Sequence, residues 1–372
     1  MKRILFLIHD LGQGGAEKVL INLVNHLDRS QFDISVTVLF GGGVNEQFLR
    51  SDIHFHAVFP RMIPGNSHWM KFFTPEQLHR LCIKEHYDIE IAYLEGPSVR
   101  VISGCSDPSV ALFGWIHCTM HSPKDISAPF RSMEEAEHCY NRMNQMIFVS
   151  QDVRNNFLRC CACTSSCAIR YNTNESEVIL EKSLEQTEDI PFPAGTFTWC
   201  GMGKLVSNKG FDRMLRVQRK LRDTGHTPRL LILGDGPDGQ TLEAQCRELE
   251  LTDSVVFLGY QTNPYKYLAK CDLFVCASHS EGFSTAATEA LLLGIPVCTV
   301  EVSGMKEMLG DHNEYGIVTE NSEDALYEGI AALLNDPALL LHYRQQAGLR
   351  GRMFTTESTV RSVEDMLNQA NE

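Results

Sequence analysis

The feature that most constrains this chain is a repeated unit, in which a short apolar segment runs into a glycine-containing turn and then an amphipathic helix. Residues 4–8 begin the first series, and the turn at 12–15 leads into a helix with apolar side chains at helical spacing. A second series begins at residue 197. Continuously apolar segments are typical of parallel strands that helices cover on both faces. We therefore predict an α/β protein with two Rossmann-like, doubly wound domains that face each other across a cleft.

The length of 372 residues also favours two domains, since single hydrophobic cores rarely grow beyond about 250–300 residues. We place the first domain at 1–172 and the second at 195–350. Residues 173–194 between them are largely polar and acidic, so they are predicted to form a linker. Residues 351–372 are predicted to form a C-terminal helix.

Composition excludes several classes of protein. The formal net charge of −14 disfavours nucleic-acid binding, because a nucleic-acid-binding protein needs a basic surface. No segment approaches the roughly 20 apolar residues that span a bilayer. The apolar stretch at 4–8 is too short for a signal peptide. The chain is therefore expected in the cytoplasm.

The 13 cysteines are an odd number and lie mostly in apolar segments, which indicates reduced thiols. Four of them are close together in the sequence and could bind a metal: Cys160, Cys161, Cys163 and Cys167. This group lacks the separated Cys-x2-Cys pairs of a zinc site, and no histidine is near it. We expect no metal there, and the sequence offers no other explanation for the group.

Residues 280–296 carry the clearest candidate site. An apolar strand leads into Glu281 and Gly282, and the helix that follows contains Glu289. A helix N-terminus carries about half a positive charge and unpaired N–H groups, which suit a phosphate. Here those N–H groups belong to Phe283, Ser284 and Thr285. The two carboxylates would repel a phosphate, so they are predicted to accept hydrogen bonds from sugar hydroxyls. On spacing alone, a capped core helix with two surface glutamates explains the pattern equally well.

The same stretch resembles a known family motif. Glu281-Gly282-Phe283, then Glu289-Ala290 and Gly294-Ile295-Pro296-Val297, is similar to the Glu-x7-Glu motif of retaining family-4 glycosyltransferases of the GT-B fold. The resemblance covers nearly the whole chain and implies that residues 351–372 pack back on the first domain. It also implies that Glu281 holds the donor sugar and that Glu289 binds the ribose hydroxyls of the nucleotide.

A second segment, at 201–212, resembles the family's Gly-Arg-Leu…Lys-Gly-x-Asp motif, whose two cations hold the donor diphosphate. The resemblance implies this role for Lys204 and Lys209. Lys204 stands where the family has arginine, so a point charge replaces a bidentate guanidinium. The alternative interpretation is two solvated surface lysines.

Further donor contacts follow from the resemblance. The turn with Gly14 and Gly15 resembles the family's Gly-Gly-Ala-Glu loop, whose backbone lies against the donor diphosphate and sugar. A histidine after the corresponding first-domain strand contacts the transferred sugar, which implies that role for His117, and not the role of a general base. The loop with Tyr260 and Gln261 flanks the nucleobase in relatives. The structural alternatives stay open: a tight turn, a structural histidine, and a tyrosine that packs on the next helix.

Residues 61–73 interleave aromatic and apolar side chains with the basic residues Arg61, His68 and Lys71. Such a segment could dip into an anionic membrane surface, or it could pack on the first-domain core. Many relatives glycosylate lipid-linked acceptors. The resemblance therefore adds support to a peripheral contact with the inner face of the cell membrane, and the core-packing alternative stays open.

The resemblance implies a retaining hexosyltransferase that moves a sugar from a UDP-linked donor to a glycan or lipid-linked acceptor, in surface polysaccharide or glycoconjugate biosynthesis. The catalytic residues are then His117, Lys209 and Glu281. No cofactor or metal is expected, because the two lysines and the helix N-terminus supply positive charge for the departing diphosphate. Two alternatives remain: an epimerase or phosphorylase-like enzyme on the same fold, and a non-catalytic sugar-nucleotide-binding partner subunit.

Overall fold

The computed structural model describes residues 1–12, 14–62, 69–187 and 190–370. The chain divides into two compact units, of which the first is Met1–Asn174 with Thr356–Glu372 and the second is Glu175–Thr355. The predicted linker at 173–194 differs from this division, because Ser176–Ser183 within it is a helix of the second unit. The polar sequence of this stretch gave only a weak helical signal, because the helix buries only Ser176 and Ile179.

The first unit is built on a seven-stranded sheet in the order β3-β2-β1-β4-β5-β6-β7, and all its strand pairs are parallel. The strands are β1 Lys2–Ile8, β2 Phe32–Phe40, β3 His54–Phe59, β4 Ile89–Ala92, β5 Ala111–Ile116, β6 Gln145–Phe148 and β7 Ser166–Ile169. The apolar residues of β1 are at most 1% exposed. They are covered on both faces, which explains why the strand does not alternate between apolar and polar residues.

The second unit contains a six-stranded parallel sheet in the order β10-β9-β8-β11-β12-β13. The strands are β8 Thr198–Met202, β9 Arg229–Leu233, β10 Val255–Gly259, β11 Leu273–Cys276, β12 Val297–Val300 and β13 Ile317–Thr319. Its core joins the sheet to the helices beside it through Trp199, Leu215, Leu230, Leu273 and Leu326.

Helices connect most successive strands, and three more follow β13. Numbered over the described residues, they are α1 Gly15–His26, α2 Pro75–Cys82, α3 Pro97–Ile102, α4 Pro123–Ser127, α5 Met133–Asn141, α6 Gln151–Cys160, α7 Ser176–Ser183, α8 Phe211–Asp223, α9 Gly239–Glu248, α10 Tyr265–Leu268, α11 Thr285–Leu292, α12 Met305–Leu309, α13 Glu323–Asn335, α14 Pro337–Gly351 and α15 Thr356–Gln369. No described helix combines the length and the hydropathy that crossing a bilayer requires.

The C-terminal helix α15 belongs to the first unit. The Lys2 ammonium donates hydrogen bonds to the carbonyls of Leu367 and Asn368, at 2.9 and 2.8 Å. The Arg170 guanidinium donates to the carbonyl of Ser362 at 2.9 Å. These bonds tie α15 to Lys2, the first residue of β1, and to Arg170, which directly follows β7.

Because the strands of each sheet run in one direction, the loops after them gather at one edge, where ligands bind in doubly wound proteins. His117 directly follows β5 in the first unit. Lys204 and Lys209 follow β8, and Glu281 follows β11, in the second unit. The topology thus places most of the predicted site residues of each unit at the edge where a ligand is expected.

Candidate functional site

Two loops of the second unit, one after β8 and one after β11, are joined by backbone contacts. Gly210 follows the short turn Ser207–Lys209 and adopts the left-handed conformation, with φ +67°. A Cβ atom at Gly210 would lie 2.0 Å from the carbonyl oxygen of Ala277. Glycine at position 210 therefore permits both the turn and the close approach of the two loops.

Hydrogen bonds hold the two loops in register. The backbone N–H of His279 donates to the carbonyl of Asn208 at 2.8 Å, and the Asn208 side chain donates to the carbonyl of Ser280 at 2.9 Å. The Arg213 guanidinium lies 2.9 Å from Nδ1 of His279. These bonds fix the backbones of the two loops, so that side chains from both loops lie close together.

Lys209 and Glu281 meet at this junction. The Lys209 Nζ is 2.6 Å from Oε1 of Glu281, and their side chains are 32% and 9% exposed. The hydroxyl of Ser278 donates to the same carboxylate oxygen at 2.6 Å. Sequence reasoning assigned roles to Lys209 and Glu281 but missed Ser278, whose only signal is a polar residue at the end of an apolar strand.

Helix α11 contains Glu289, as predicted, but it starts at Thr285, so Phe283 and Ser284 precede its first residue. Ser284 caps it, and its hydroxyl accepts a hydrogen bond from the Ala287 N–H at 3.3 Å. Gly282 and Thr285 are partly exposed, whereas Phe283 is buried and packs its ring against Phe354 at 5.8 Å. Only the backbone of Phe283 is therefore suited to a ligand, because its side chain belongs to the core.

Glu289 lies in the middle of α11 and is 5% exposed. The hydroxyl of Tyr265, at the start of α10, donates to Oε1 of Glu289 at 3.0 Å. The interpretation of Glu281 and Glu289 as two surface glutamates is therefore wrong, since both carboxylates are largely withdrawn from solvent and hydrogen-bonded. Tyr265 is a second residue that sequence reasoning missed, because its partner is 24 residues away.

Two of the other predicted site residues in the second unit, Lys204 and Tyr260, have exposed side chains. Lys204 is exposed in the loop after β8. Tyr260 is 76% exposed, so its side chain does not pack on the helix that follows. The Gln261 side chain donates to the carbonyl of Leu258 at 2.6 Å and is held against its own loop.

In the first unit, His117 is 8% exposed and its ring lies 4.8 Å from the ring of Tyr93. Its backbone N–H donates to Oε2 of Glu95 at 2.9 Å. Burial lowers the pKa of His117 to about 3, so the imidazole is neutral at pH 7. Its Nε2 has no hydrogen-bond partner among the described residues. The unpartnered nitrogen of a neutral imidazole can form a hydrogen bond with an uncharged ligand group, as donor or as acceptor according to its tautomer.

The glycine turn before α1 has an acidic neighbour. A Cβ atom at Gly14 would lie 1.9 Å from a carboxylate oxygen of Glu17, whereas one at Gly15 would meet nothing within 4 Å. Burial raises the pKa of Glu17, and the charges of Asp10 and Glu95 raise it further. A diphosphate at Gly14 would therefore meet the Glu17 carboxyl group, while Gly15 offers open backbone. The donor contacts of both glycines stay predictions.

The predicted membrane segment at 61–73 is described only in part, since residues 63–68 lie outside the described residues. Trp69 packs its ring on Phe59 at 5.4 Å, as the core-packing alternative requires. Phe72 is 83% exposed. The described part of the segment thus contains one aromatic side chain packed on the first unit, Trp69, and one exposed to solvent, Phe72.

All thirteen cysteines are free thiols. Among the described residues, the one group of three potential metal ligands is His79, Glu90 and Cys105, so residues 160–167 do not form one. His79 Nε2 is 2.8 Å from Oε2 of the buried Glu90. Burial lowers the pKa of His79, but hydrogen bonds with Cys105 and Glu90 outweigh it and raise that pKa to about 9. The group is thus explained as a buried ion pair.

Known glycosyltransferases are similar to this chain over both units. Residues 13–171 match the family model described as Glycosyltransferase Family 4, and residues 183–350 match the model described as Glycosyl transferases group 1. The chain is 28% identical over 367 residues to N-acetylgalactosamine-N,N'-diacetylbacillosaminyl-diphospho-undecaprenol 4-alpha-N-acetylgalactosaminyltransferase of Campylobacter jejuni, covering 95% of this chain and 96% of that protein. It is 25% identical over 173 residues to the capsular polysaccharide biosynthesis glycosyltransferase CapM of Staphylococcus aureus, covering 45% and 44%.

Among solved structures, Anabaena HepE in complex with UDP superposes with a TM-score of 0.77 at 20% identity, covering 99% of this chain and 100% of that one. This likeness confirms the predicted GT-B fold. The two family models, which together cover most of the two units, confirm the glycosyltransferase family that the motifs indicated. The chain belongs to the GT-B glycosyltransferases, with a Glycosyltransferase Family 4 segment followed by a Glycosyl transferases group 1 segment.

Proposed function

We propose that this glycosyltransferase moves a hexosyl group from a UDP-sugar to a lipid-linked or glycan acceptor, with retention of the anomeric configuration and without a metal. The single observation that carries the proposal is the junction of Lys209 and Glu281 beside the N-terminus of α11. It places a cation and a carboxylate 2.6 Å apart at the edge of a parallel sheet where nucleotides bind.

The proposed role of each residue follows from the charge of its side chain. A departing diphosphate gains negative charge, which Lys209, Lys204 and the positive end of α11 would stabilise. Because positive charge is already available from these groups, the proposal needs no metal. Neither carboxylate suits a phosphate, and each suits neutral hydroxyls.

Glu289 would bind the ribose hydroxyls, and its burial and the hydrogen bond from Tyr265 hold it in one orientation. Glu281 would hold the hydroxyls of the donor sugar and so orient the anomeric carbon. His117 is neutral and would contact the transferred sugar by a hydrogen bond. Base contacts through Tyr260 and Gln261 complete the proposed donor site.

The UDP donor is supported by the fold shared with HepE, whose structure contains UDP. The acceptor class is supported by the Campylobacter jejuni relative, which is named for a diphospho-undecaprenol substrate. CapM supports a place in surface polysaccharide biosynthesis. Retention is supported by the Glu-x7-Glu motif at Glu281 and Glu289.

The proposal is tested first by the thermal stability of the protein with UDP-glucose, UDP-galactose and their N-acetylated counterparts, since a ligand of the folded state raises its stability. The sugar donor that raises the melting temperature most is then incubated with an undecaprenyl diphosphate-linked saccharide. NMR of the product should show an anomeric centre of the same configuration as the donor. Interconversion of the UDP-sugar without an acceptor would instead indicate an epimerase.

We also propose that the segment at 61–73 makes peripheral contact with the cytoplasmic membrane surface. The outward side chain of Phe72 and the basic residues Arg61 and Lys71 support this. Phe72→Ser should release the protein from vesicles containing anionic lipids, whereas Phe48→Ser, which changes a 60% exposed phenylalanine elsewhere, should not. Equal binding of wild-type protein to anionic and neutral vesicles would contradict an electrostatic contribution.

A further inference from the structure

We infer that Ser278 is a positioning residue for sugar transfer, which acts by holding the carboxylate of Glu281 in place while Lys209 turns to the donor diphosphate. The inference rests on the proposed function. It assigns a role to a residue outside the Glu-x7-Glu motif and outside the two lysines.

The geometry of one oxygen atom carries the inference. Oε1 of Glu281 accepts hydrogen bonds from both the Ser278 hydroxyl and the Lys209 ammonium, each at 2.6 Å. Ser278 is 2% exposed and lies just beyond the end of β11. Its position is therefore set by the sheet, whereas the long side chain of Lys209 is 32% exposed and has rotamer freedom.

A bound diphosphate affects the Lys209 ammonium and the Ser278 hydroxyl differently. A diphosphate attracts the Lys209 ammonium by its charge, so the ammonium is shared between the diphosphate and Glu281 when the donor is bound. The Ser278 hydroxyl is neutral and short, so it stays with Glu281. Ser278 then provides a contact, fixed in place by the sheet, that keeps the carboxylate aimed at the sugar.

This division predicts a specific pattern of kinetic effects. Removing the hydroxyl should impair only the steps that involve the sugar, because Ser278 acts through Glu281 and not through the phosphate contacts. Loss of a hydrogen bond to a charged group corresponds to about a tenfold change in rate or affinity. Ser278→Ala should therefore lower kcat with the UDP-sugar about tenfold and leave the affinity for UDP itself unchanged.

The experiment compares wild type, Ser278→Ala and Ser278→Thr, each checked for an unchanged melting temperature. Steady-state kinetics use the UDP-sugar that gives the largest thermal shift, and calorimetry measures the binding of UDP alone. Ser278→Thr keeps a hydroxyl and should recover most of the lost kcat. The matched control is Ser109→Ala, because Ser109 donates to Asp107 at the same distance of 2.6 Å but lies exposed in the first unit, where no site residue was predicted at or beside it. It should behave as wild type.

A double-variant test separates action through Glu281 from a general structural effect. If Ser278 acts through Glu281, adding Ser278→Ala to Glu281→Gln should cost almost no further activity. Additive losses, an unchanged kcat in Ser278→Ala, or an equal loss of affinity for UDP would each overturn the inference. A wild-type protein that binds no UDP-sugar contradicts the proposed function and, with it, the role of Ser278. A wild-type protein that turns over at the same rate as Ser278→Ala contradicts only the role of Ser278.

Discussion

The ammonium of Lys209 and the carboxylate of Glu281 lie 2.6 Å apart although 72 residues separate them in the chain. They follow two neighbouring strands of one parallel sheet, β8 and β11, whose loops are joined through Gly210. The proposed diphosphate-binding cation and the proposed sugar-binding carboxylate are therefore paired with each other. The pair neutralises a partly buried carboxylate and holds both side chains near their proposed positions.

Lys209→Gln should lower kcat/KM for sugar transfer by about 100-fold, because a positive charge beside the leaving group is lost where charge develops. It also leaves the largely buried Glu281 without its counter-ion. Steady-state kinetics with the UDP-sugar measure the effect. Lys220→Gln is the matched control, since Lys220 pairs with Asp324 at the same 2.6 Å on the exposed face of α8. Equal losses in both variants would contradict the role of Lys209.

Tyr265→Phe should weaken the binding of UDP about five- to tenfold, because Glu289 loses the hydroxyl that orients it. Titration calorimetry with UDP measures this affinity. Tyr327→Phe removes a hydroxyl that donates to the Thr224 hydroxyl at 3.3 Å, and it should leave the affinity unchanged. Unaltered UDP binding in Tyr265→Phe would show that Glu289 does not need its partner to bind the nucleotide.

Gly210→Ala should destabilise the protein much more than Gly225→Ala. Both glycines have positive φ, at +67° and +90°, so each alanine carries a conformational cost of about 1–2 kcal/mol. A Cβ at Gly210 would also lie 2.0 Å from the Ala277 carbonyl oxygen, whereas one at Gly225 meets nothing within 4 Å. We expect Gly210→Ala to cost about 2 kcal/mol more, through displaced backbone. Urea denaturation measures the difference, and equal free energies of unfolding would refute the close approach of the two loops.

The stability of the protein should fall as the pH rises from about 6.5 through about 9, because of His79. Its pKa is about 9 in the folded chain and near 6.5 when unfolded, so the folded state holds the extra proton in this window. The stabilisation is fully present below pH 6.5 and lost above pH 9. Its size is about 1–3 kcal/mol.

Measurement of the free energy of unfolding between pH 6 and 10 checks this behaviour. His79→Gln should abolish that part of the decrease. His54→Gln should retain it, since His54 pairs with Asp33 at 3.1 Å with a side chain that is 68% exposed. A decrease that persists unchanged in His79→Gln would contradict the assignment to the buried ion pair with Glu90.

Much of the fold followed from local patterns. The continuously apolar β1 and β11 predict parallel, doubly covered strands, and their alternation with helices predicts the two sheets. The presence of α11 followed from the apolar strand and the turn at Gly282 that precede it, because these signals lie within a few residues of each other. The family motifs also brought out Lys209, Glu281 and Glu289.

The features that the sequence did not predict depend mostly on contacts between side chains, which a local sequence pattern does not reveal. Ser278 and Tyr265 were missed because their importance comes only from the carboxylates to which they donate. The carboxyl group of Glu17 beside Gly14 was not foreseen, since a glycine turn looks the same with or without a neighbouring acid. Helix α7 was taken for linker, because eight residues with little buried surface give a weak helical signal.

The release of UDP from a UDP-sugar, with and without an undecaprenyl diphosphate-linked saccharide, tests the central claim most directly. In a coupled assay, wild-type protein should release UDP only when donor and acceptor are both present. Glu281→Gln should reduce that release by about 100-fold, by loss of donor-sugar orientation. Failure of wild type to release UDP with any of the four UDP-sugars, or undiminished release by Glu281→Gln, would contradict the account.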